Sequence, residues 1–432
     1  MYDAIVVGAR CAGSPTAMLL AQQGYRVLMV DRAGFPSDTM STHYIHQPGV
    51  ARLERWGLRE KIAASNCPPV DALSIHFGPV ALTGSPPAYE GVTEGYAPRR
   101  TVLDQMLLEA SIAAGVEFRD HFSVTELVFD GDRVTGIRGH RASGPTVSES
   151  ARIVIGADGR HSFVARAVQA ESYETRPATS CAYYSYWTGL GITNAELYNV
   201  PNRTIIVGPT NDEAALLIGY WPIDAFHQVR ADIDGAFRDA LELAPALAER
   251  VRAGTRVEKY RGTADLPGYY RTPFGPGWAL VGDAGHYKNP ITAQGITDAF
   301  RDAELLAAAI DAGFSRRASI EDALGGYERL RNEATMPIYV MTAELATLEP
   351  PPAEQQALIG ALAGNQQQTD RFIGTIAGTT SIADFFSPEN VEAIFAHANG
   401  FPQTSRPDSS SRPARVPRGE PAFVATSAAG DD

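Results

Sequence analysis

The sequence predicts an α/β fold: a dinucleotide-binding βαβ unit, interleaved with a smaller antiparallel or mixed β-sheet domain and followed by C-terminal helices. Three observations predict it. A Gly-rich turn, Gly8 to Gly13, separates two short β-branched apolar runs. Two strand-like runs near residue 210 are joined by a polar turn, and a long apolar stripe at helical spacing begins at Ile296.

In chain order, Asp3-Ala4-Ile5-Val6-Val7 and Val27-Leu28-Met29-Val30 suit strands buried on both faces. Between them a helix starts near Ala12, tolerates Pro15 in its donor-free first turn and stops at Gly24. A second helix spans 98–115, with Val102, Leu103, Met106, Leu107, Ala110 and Ile112 as its stripe and Gly115 as its stop. Strands follow around 116–127, 133–138 and 152–155. Arg203 to Gly208 and Ala215 to Tyr220, joined by Pro209 to Glu213, read as an antiparallel hairpin. A long helix runs from Ile296 to Ala312 with Gly313 as its stop, and helical segments continue to about Asn399. Residues 401–432, rich in Pro, Ser, Arg and Gly, read as a disordered tail. The expected organisation is a discontinuous nucleotide domain (1–70, 98–170 and 271–345), a substrate domain (71–97 and 171–270) and a C-terminal helical segment (346–400).

A chain of 432 residues buries enough surface for two joined domains. Its formal charge of -13 gives no reason to attract phosphate backbones or anionic lipid, so nucleic acid is not an expected partner. Cys11, Cys67 and Cys181 have no metal-ligand spacing and no disulfide framework. No run of about 18 apolar residues occurs. The first strand at Tyr2 leaves no room for a signal peptide, and a cytoplasmic protein is expected.

In a dinucleotide-binding βαβ unit, three glycines serve the tight turn, the approach to pyrophosphate and the helix–strand packing. Here Gly8, Arg10 and Gly13 hold those places, with Ala12 beside the helix start where anions bind. Asp31, closing the second strand, is placed for a ribose diol. Read alone, such a turn is as readily structural. Gly156-Ala157-Asp158-Gly159 and Val281-Gly282-Asp283-Ala284-Gly285-His286 turn one motif into three that would close on a single ligand, an adenine dinucleotide carrying a flavin. Asp158 on its own reads as an Asp-Gly turn. His43 is a candidate acid or base, against the plainer reading of a polar loop histidine. His43 and His46 have ligand-like spacing but no third ligand, so no metal is expected. Tyr183, Tyr184, Tyr186 and Trp187 form an aromatic run whose alternate residues face opposite sides of a strand. Tyr184, Tyr186 and Tyr220 are the substrate-binding candidates, with sheet packing as the competing reading.

With these motifs, residues 1 to about 345 resemble the FAD-dependent monooxygenases of the aromatic-hydroxylase (group A flavoprotein monooxygenase) superfamily, close to geranylgeranyl-reductase-like and flavin-halogenase-like enzymes. The resemblance implies a Rossmann-like FAD-binding domain in which Arg10 pairs with phosphate or folds outward, and Arg32 and the Val124 backbone flank the adenosine. It also implies that Arg100 reaches the phosphate and ribityl region and that Asp158 links the flavin and nicotinamide sites. Asp283 would bond the ribityl chain, and Pro290, Ala293, Gln294, Gly295 and Ile296 would lie against the flavin ring. Thr297 stands where the family usually shows Asn.

NAD(P)H would be a transient co-substrate, or a separate flavin reductase would supply the electrons. The implied reaction inserts one oxygen atom of O2 into an apolar or aromatic small molecule through a flavin C4a-hydroperoxide. Reduction of isoprenoid-type double bonds is the alternative. Halogenation stands third, because its Trp-x-Trp-x-Ile-Pro element is absent and Lys61 lies in an ordinary helical context.

Overall fold

The computed structural model describes residues 1–142 and 144–400; the tail expected at 401–432 lies outside the described residues. A parallel sheet forms the centre, in the order Trp278–Leu280, Val147–Gly156, Tyr2–Val7, Val27–Val30 and Glu117–Arg119. Both faces are buried, which explains the continuous apolar runs. Ala4, Val6, Met29, Ile153 and Ile155 pack beneath helices Gly13–Gln22, Gly295–Phe314 and Ile320–Leu345. The alternate residues Ile5, Val7, Leu28, Val30 and Val154 meet Phe122, Leu127, Val134 and Ile137 of an antiparallel ribbon. Val147–Gly156 serves both layers: Val147 to Ser150 pair with the ribbon, and Ala151 to Gly156 pair with Tyr2–Val7.

A second, mixed sheet joins distant parts of the chain. Its order is Thr255–Arg256, Ser180–Thr188, Ala214–Pro222, Arg203–Pro209, Ala195–Val200, Leu73–Phe77 and Val80–Gly84, with Arg261–Thr263 also on Ser180–Thr188. The expected hairpin is present, Ile205 opposite Gly219 and Val207 opposite Leu217. Helices Ala353–Leu362, Gln366–Ala377, Ile382–Phe385 and Pro388–Gly400 follow, several of their apolar residues packing with Leu82.

Several boundaries differ from expectation, and the strand foreseen at 152–155 begins at Val147. The single strand foreseen over 116–127 is two, Glu117–Arg119 and Phe122–Asp130, because His121 at φ 50° turns the chain from the parallel sheet into the ribbon. The long helix passes through Gly313 to Phe314. A Cβ on Gly313 would stand 2.5 Å from Ile320 Cδ1, so glycine there allows close contact with the next helix and does not act as a stop.

Candidate functional site

The three sequence motifs meet at the C-terminal edge of the parallel strands, where open α/β sheets bind ligands. Gly8 N donates to Val30 O at 2.8 Å, Ala157 N to Val7 O at 2.8 Å and Val281 N to Gly156 O at 3.0 Å, so the three turns leave the sheet side by side. Gly8 adopts φ +105°, and a Cβ there would stand 2.4 Å from Ala157 O. A Cβ on Gly13 would meet Gly8 O at 1.8 Å, and one on Gly282 would meet Ala12 Cβ at 2.8 Å. Only glycine lets these backbones close into one cradle. Ala12 gives helix Gly13–Gln22 no side-chain cap, and its first turn holds no acidic residue, which leaves the helix start suited to an anion.

Asp31 fastens the cradle: Oδ2 accepts from Ala9 N and Oδ1 from Ala33 N, both at 2.8 Å. Arg32 is exposed beside it. Val124, half-buried, belongs to the strand whose Phe122 amide donates to Asp31 O at 2.8 Å, so all three expected adenosine neighbours share one corner.

Two arginines named from the sequence meet on one carboxylate. Arg10 donates to Asp104, to Ser37 O at 3.2 Å and to Ser37 Oγ at 2.9 Å. Arg100 forks onto the same carboxylate, Nε to Oδ1 at 3.0 Å and Nη2 to Oδ1 and Oδ2 at 2.9 and 3.1 Å. Asp104 is fully buried and also takes the Cys11 thiol at 3.3 Å. Asp104, which gathers both arginines beside the cradle, is a residue the sequence reading missed although it stands four places after Arg100. The Asp158 carboxylate reaches past its turn to the next helix: Oδ2 accepts from the Phe163 and Val164 amides at 2.6 and 3.2 Å, and Oδ1 from Ser162 Oγ at 2.5 Å, at the start of helix Phe163–Ala167.

The third motif presents a different carboxylate. Asp283 accepts the Tyr269 hydroxyl at its backbone oxygen, at 2.8 Å, and among the described residues its carboxylate takes no hydrogen bond. Burial pushes its pKa up, against the pull of His286, Lys288, Arg100 and Arg160. The turn Pro290–Thr292 and left-handed Ala293, φ 54°, lead through buried Gln294 into helix Gly295–Phe314. Gln294 Nε2 donates to Ile376 O, and Ile296 is buried. Thr297, the departure from the family pattern, accepts the His46 amide at 3.1 Å and so ties the two segments.

His43 lies in the loop before helix Gln47–Arg55 but is not solvated there. It is fully buried at φ 62°, its Nε2 hydrogen-bonds the Tyr186 hydroxyl, and its ring stacks on Tyr186 at 5.7 Å. Burial, then Arg100, Arg99 and Arg261, hold its pKa well below the usual histidine range, so the imidazole is neutral. His46 is buried with Nε2 on Thr292 O at 3.0 Å. No cluster of three or more His, Cys, Asp or Glu able to hold a metal occurs among the described residues.

Strand alternation sorts the aromatic run. Cys181, Tyr183 and Trp221 pack with Phe237, Leu241 and Leu247 of two covering helices, which is sheet packing. Ala182, Tyr184, Tyr186 and Tyr220 form the opposite face with Leu216, Ile218, Leu266, Ile291, Ala346 and Leu348. Ile291 comes from the turn that follows Asp283, so all three tyrosine candidates share one face with the nucleotide-side loop. Four residues that the sequence reading missed close its His43 end. The Arg99 guanidinium lies 3.8 Å over Tyr186 and pairs with Glu258 at 2.6 Å, while Arg261 pairs with Asp38 at 2.9 Å. Their contacts cross 87 to 223 positions, so no local signal marks them.

The cradle fits FAD: glycine-only contacts for a pyrophosphate, Asp31 for a ribose and the unpaired Asp283 carboxylate for a polyol. A family model described as an FAD binding domain matches residues 1–338. Tryptophan 2-halogenase of Chondromyces crocatus is 24% identical over 75% of this chain, which spans 64% of that protein, just under two thirds of its length. Digeranylgeranylglycerophospholipid reductase 1 of Methanopyrus kandleri is 28% identical, covering 69% of this chain and 77% of the reductase. Phenazine 1,6-dicarboxylic acid hydroxylase PhzS of Lysobacter antibioticus is 26% identical over 83% of this chain and 95% of its own. Among solved structures, the myxobacterial chondrochloren halogenase CndH shares the fold at TM-score 0.74 and 21% identity, covering 92% of this chain and 96% of its own.

Proposed function

We propose that this chain, which belongs to the FAD binding domain family, is a monooxygenase that takes electrons from NAD(P)H and transfers one oxygen atom of O2 to an apolar or aromatic small molecule. It is an FAD-dependent oxidoreductase. The observation that carries the finer reading is the buried aromatic face of Tyr184, Tyr186 and Tyr220, which meets Ile291 beside the cofactor loops.

Bound FAD supplies the electron transfer from nicotinamide to oxygen that no side chain can perform. The protein positions and shields. Leu266, Ile291, Ala346 and Leu348 exclude water from the tyrosine face, as oxygen chemistry requires. The start of helix Gly295–Phe314 offers its positive end to negative charge on the cofactor. Neutral His43, anchored by Tyr186, supplies a hydrogen-bonding group without adding charge. Cys11, Cys67 and Cys181 are buried free thiols, in keeping with a cytoplasmic setting.

The chain's three lysines weigh against halogenation, which needs an ammonium at the reacting centre. Lys61 and Lys259 are exposed, and buried Lys288 pairs with Asp298.

The test is oxygen uptake by the FAD-loaded protein with NADH or NADPH, with and without an added flavin reductase, across a panel of aromatic compounds. Product carrying label from isotopic O2 is expected. Equal product formation under anaerobic conditions would overturn the reading in favour of a reductase.

A further inference from the structure

Beside the Tyr186–His43 pair, three polar atoms of the tyrosine face are buried without a hydrogen-bond partner among the described residues: His43 Nδ1, Tyr184 Oη and Tyr220 Oη. His43 is 0%, Tyr184 4% and Tyr220 1% exposed, so solvent does not take the place of the missing partners. A buried donor or acceptor left unpaired is costly, and such groups in a native protein call for an explanation. Tyr184 is the least isolated, since the Ser41 backbone and the Arg261 side chain approach its hydroxyl without reaching good hydrogen-bond geometry. Tyr220 has no such neighbour beyond Tyr287.

The three groups lie in one place. Tyr184 and Tyr186 follow one another on the same face of Ser180–Thr188, and Tyr220 sits on that face opposite Ala182. His43 packs edge-on to Tyr184 at 6.3 Å and stacks on Tyr186. Charge is absent from the set: Arg99 and Arg261 beside it are matched by Glu258 and Asp38. A cavity of about 280 Å³, lined by Leu266 and Ala346 of the aromatic cluster and also by Tyr339, Arg176, Lys288 and Glu344, adjoins that cluster.

We infer that His43 Nδ1, Tyr184 Oη and Tyr220 Oη are the specificity-determining contacts for an uncharged, planar, oxygen-bearing ring compound, and that they discriminate against an anionic one. The inference deepens the monooxygenase reading and rests on it for the reaction alone. An uncharged ring with hydroxyl or carbonyl oxygens pairs these neutral groups at little desolvation cost. A carboxylate would enter a face whose two nearest cations are already neutralised.

The test uses FAD-loaded protein, oxidised and without NAD(P)H, titrated at neutral pH with 1-naphthol and separately with 1-naphthoate. Binding is read from the change in flavin absorbance. 1-Naphthol is expected to bind at least tenfold more tightly than 1-naphthoate. Tyr220→Phe is expected to weaken 1-naphthol by about 2- to 10-fold, the range for one net hydrogen bond. Because that hydroxyl has no partner to lose, the variant should retain FAD and unfold at the same temperature as the parent or higher. A structural hydroxyl would do the reverse. Absence of any response to 1-naphthol, equal binding of 1-naphthoate, or loss of FAD from Tyr220→Phe in step with naphthol overturns the inference, the last by giving the hydroxyl to the cofactor. Naphthol binding without oxygen uptake on NADPH addition would leave the inference standing and sink the monooxygenase reading.

Discussion

Arg10 closes on the carboxylate of Asp104, 94 positions away, and Arg100 grips the same group from one turn earlier in its helix. Asp104 is fully buried, and these two guanidinium groups are its ion-pair partners. Asp104→Ala would leave them unmatched and is expected to cost about 3–5 kcal/mol in urea-induced unfolding. Arg10→Gly, which restores the usual motif residue, should cost much less, because Arg100 keeps its fork on Asp104. Equal losses in the two variants would refute this division of labour.

The cradle permits no side chain at its closest approach. Gly13→Ala would place a methyl 1.8 Å from Gly8 O, and Gly8→Ala would combine a 2.4 Å contact to Ala157 O with a φ that costs about 1–3 kcal/mol for a residue bearing Cβ. Both variants should purify with strongly reduced FAD, read from the flavin-to-protein absorbance ratio. Full flavin occupancy in either would show that the pyrophosphate lies elsewhere.

Two buried histidines set an acid limit on stability. Burial holds His46 at a pKa of about 4 against a partial rise from its bond to Thr292, and holds His43 well below its usual value. The unfolded chain therefore takes up protons near pH 6.5 that the folded chain refuses, so stability is full above about 6.5 and falls as pH drops toward 4. For His46 the loss is on the order of 3 kcal/mol. His46→Gln, which can still donate to Thr292 O, should flatten the melting temperature between pH 6.5 and 4.5 relative to the parent; an unchanged acid slope would contradict the assignment.

Tyr186 and His43 hold each other in place. Tyr186→Phe leaves His43 Nε2 unpaired in a buried site, with an expected loss of about 1–3 kcal/mol in thermal or urea unfolding. This contrasts with Tyr220→Phe, where no bond is broken, so a comparable loss in both would contradict the pairing.

Local patterning made the βαβ unit, the hairpin and the long helix legible, because burial on two faces, strand alternation and helical spacing each leave a period in the sequence. Gly8, Gly13 and Gly282 were legible as well, since close backbone approach demands glycine whatever surrounds it. The division of the aromatic run into two faces was foreseen as alternation, with Tyr184, Tyr186 and Tyr220 named on one of them, but what covers each face was not. Tyr183 and Tyr184 are chemically alike, and only the helices covering Tyr183 decide which is structural.

The sequence by itself determined the cradle and its cofactor class, because those contacts are made by backbone at fixed positions after each strand. Only the tertiary structure decided that Arg10 and Arg100 serve Asp104, that Asp158 caps its own helix, and that His43 is a buried neutral group on Tyr186. The Arg10–Asp104 and His43–Tyr186 pairings cross 94 and 143 positions, so they depend on which elements the packed core brings together, and no local period records that choice.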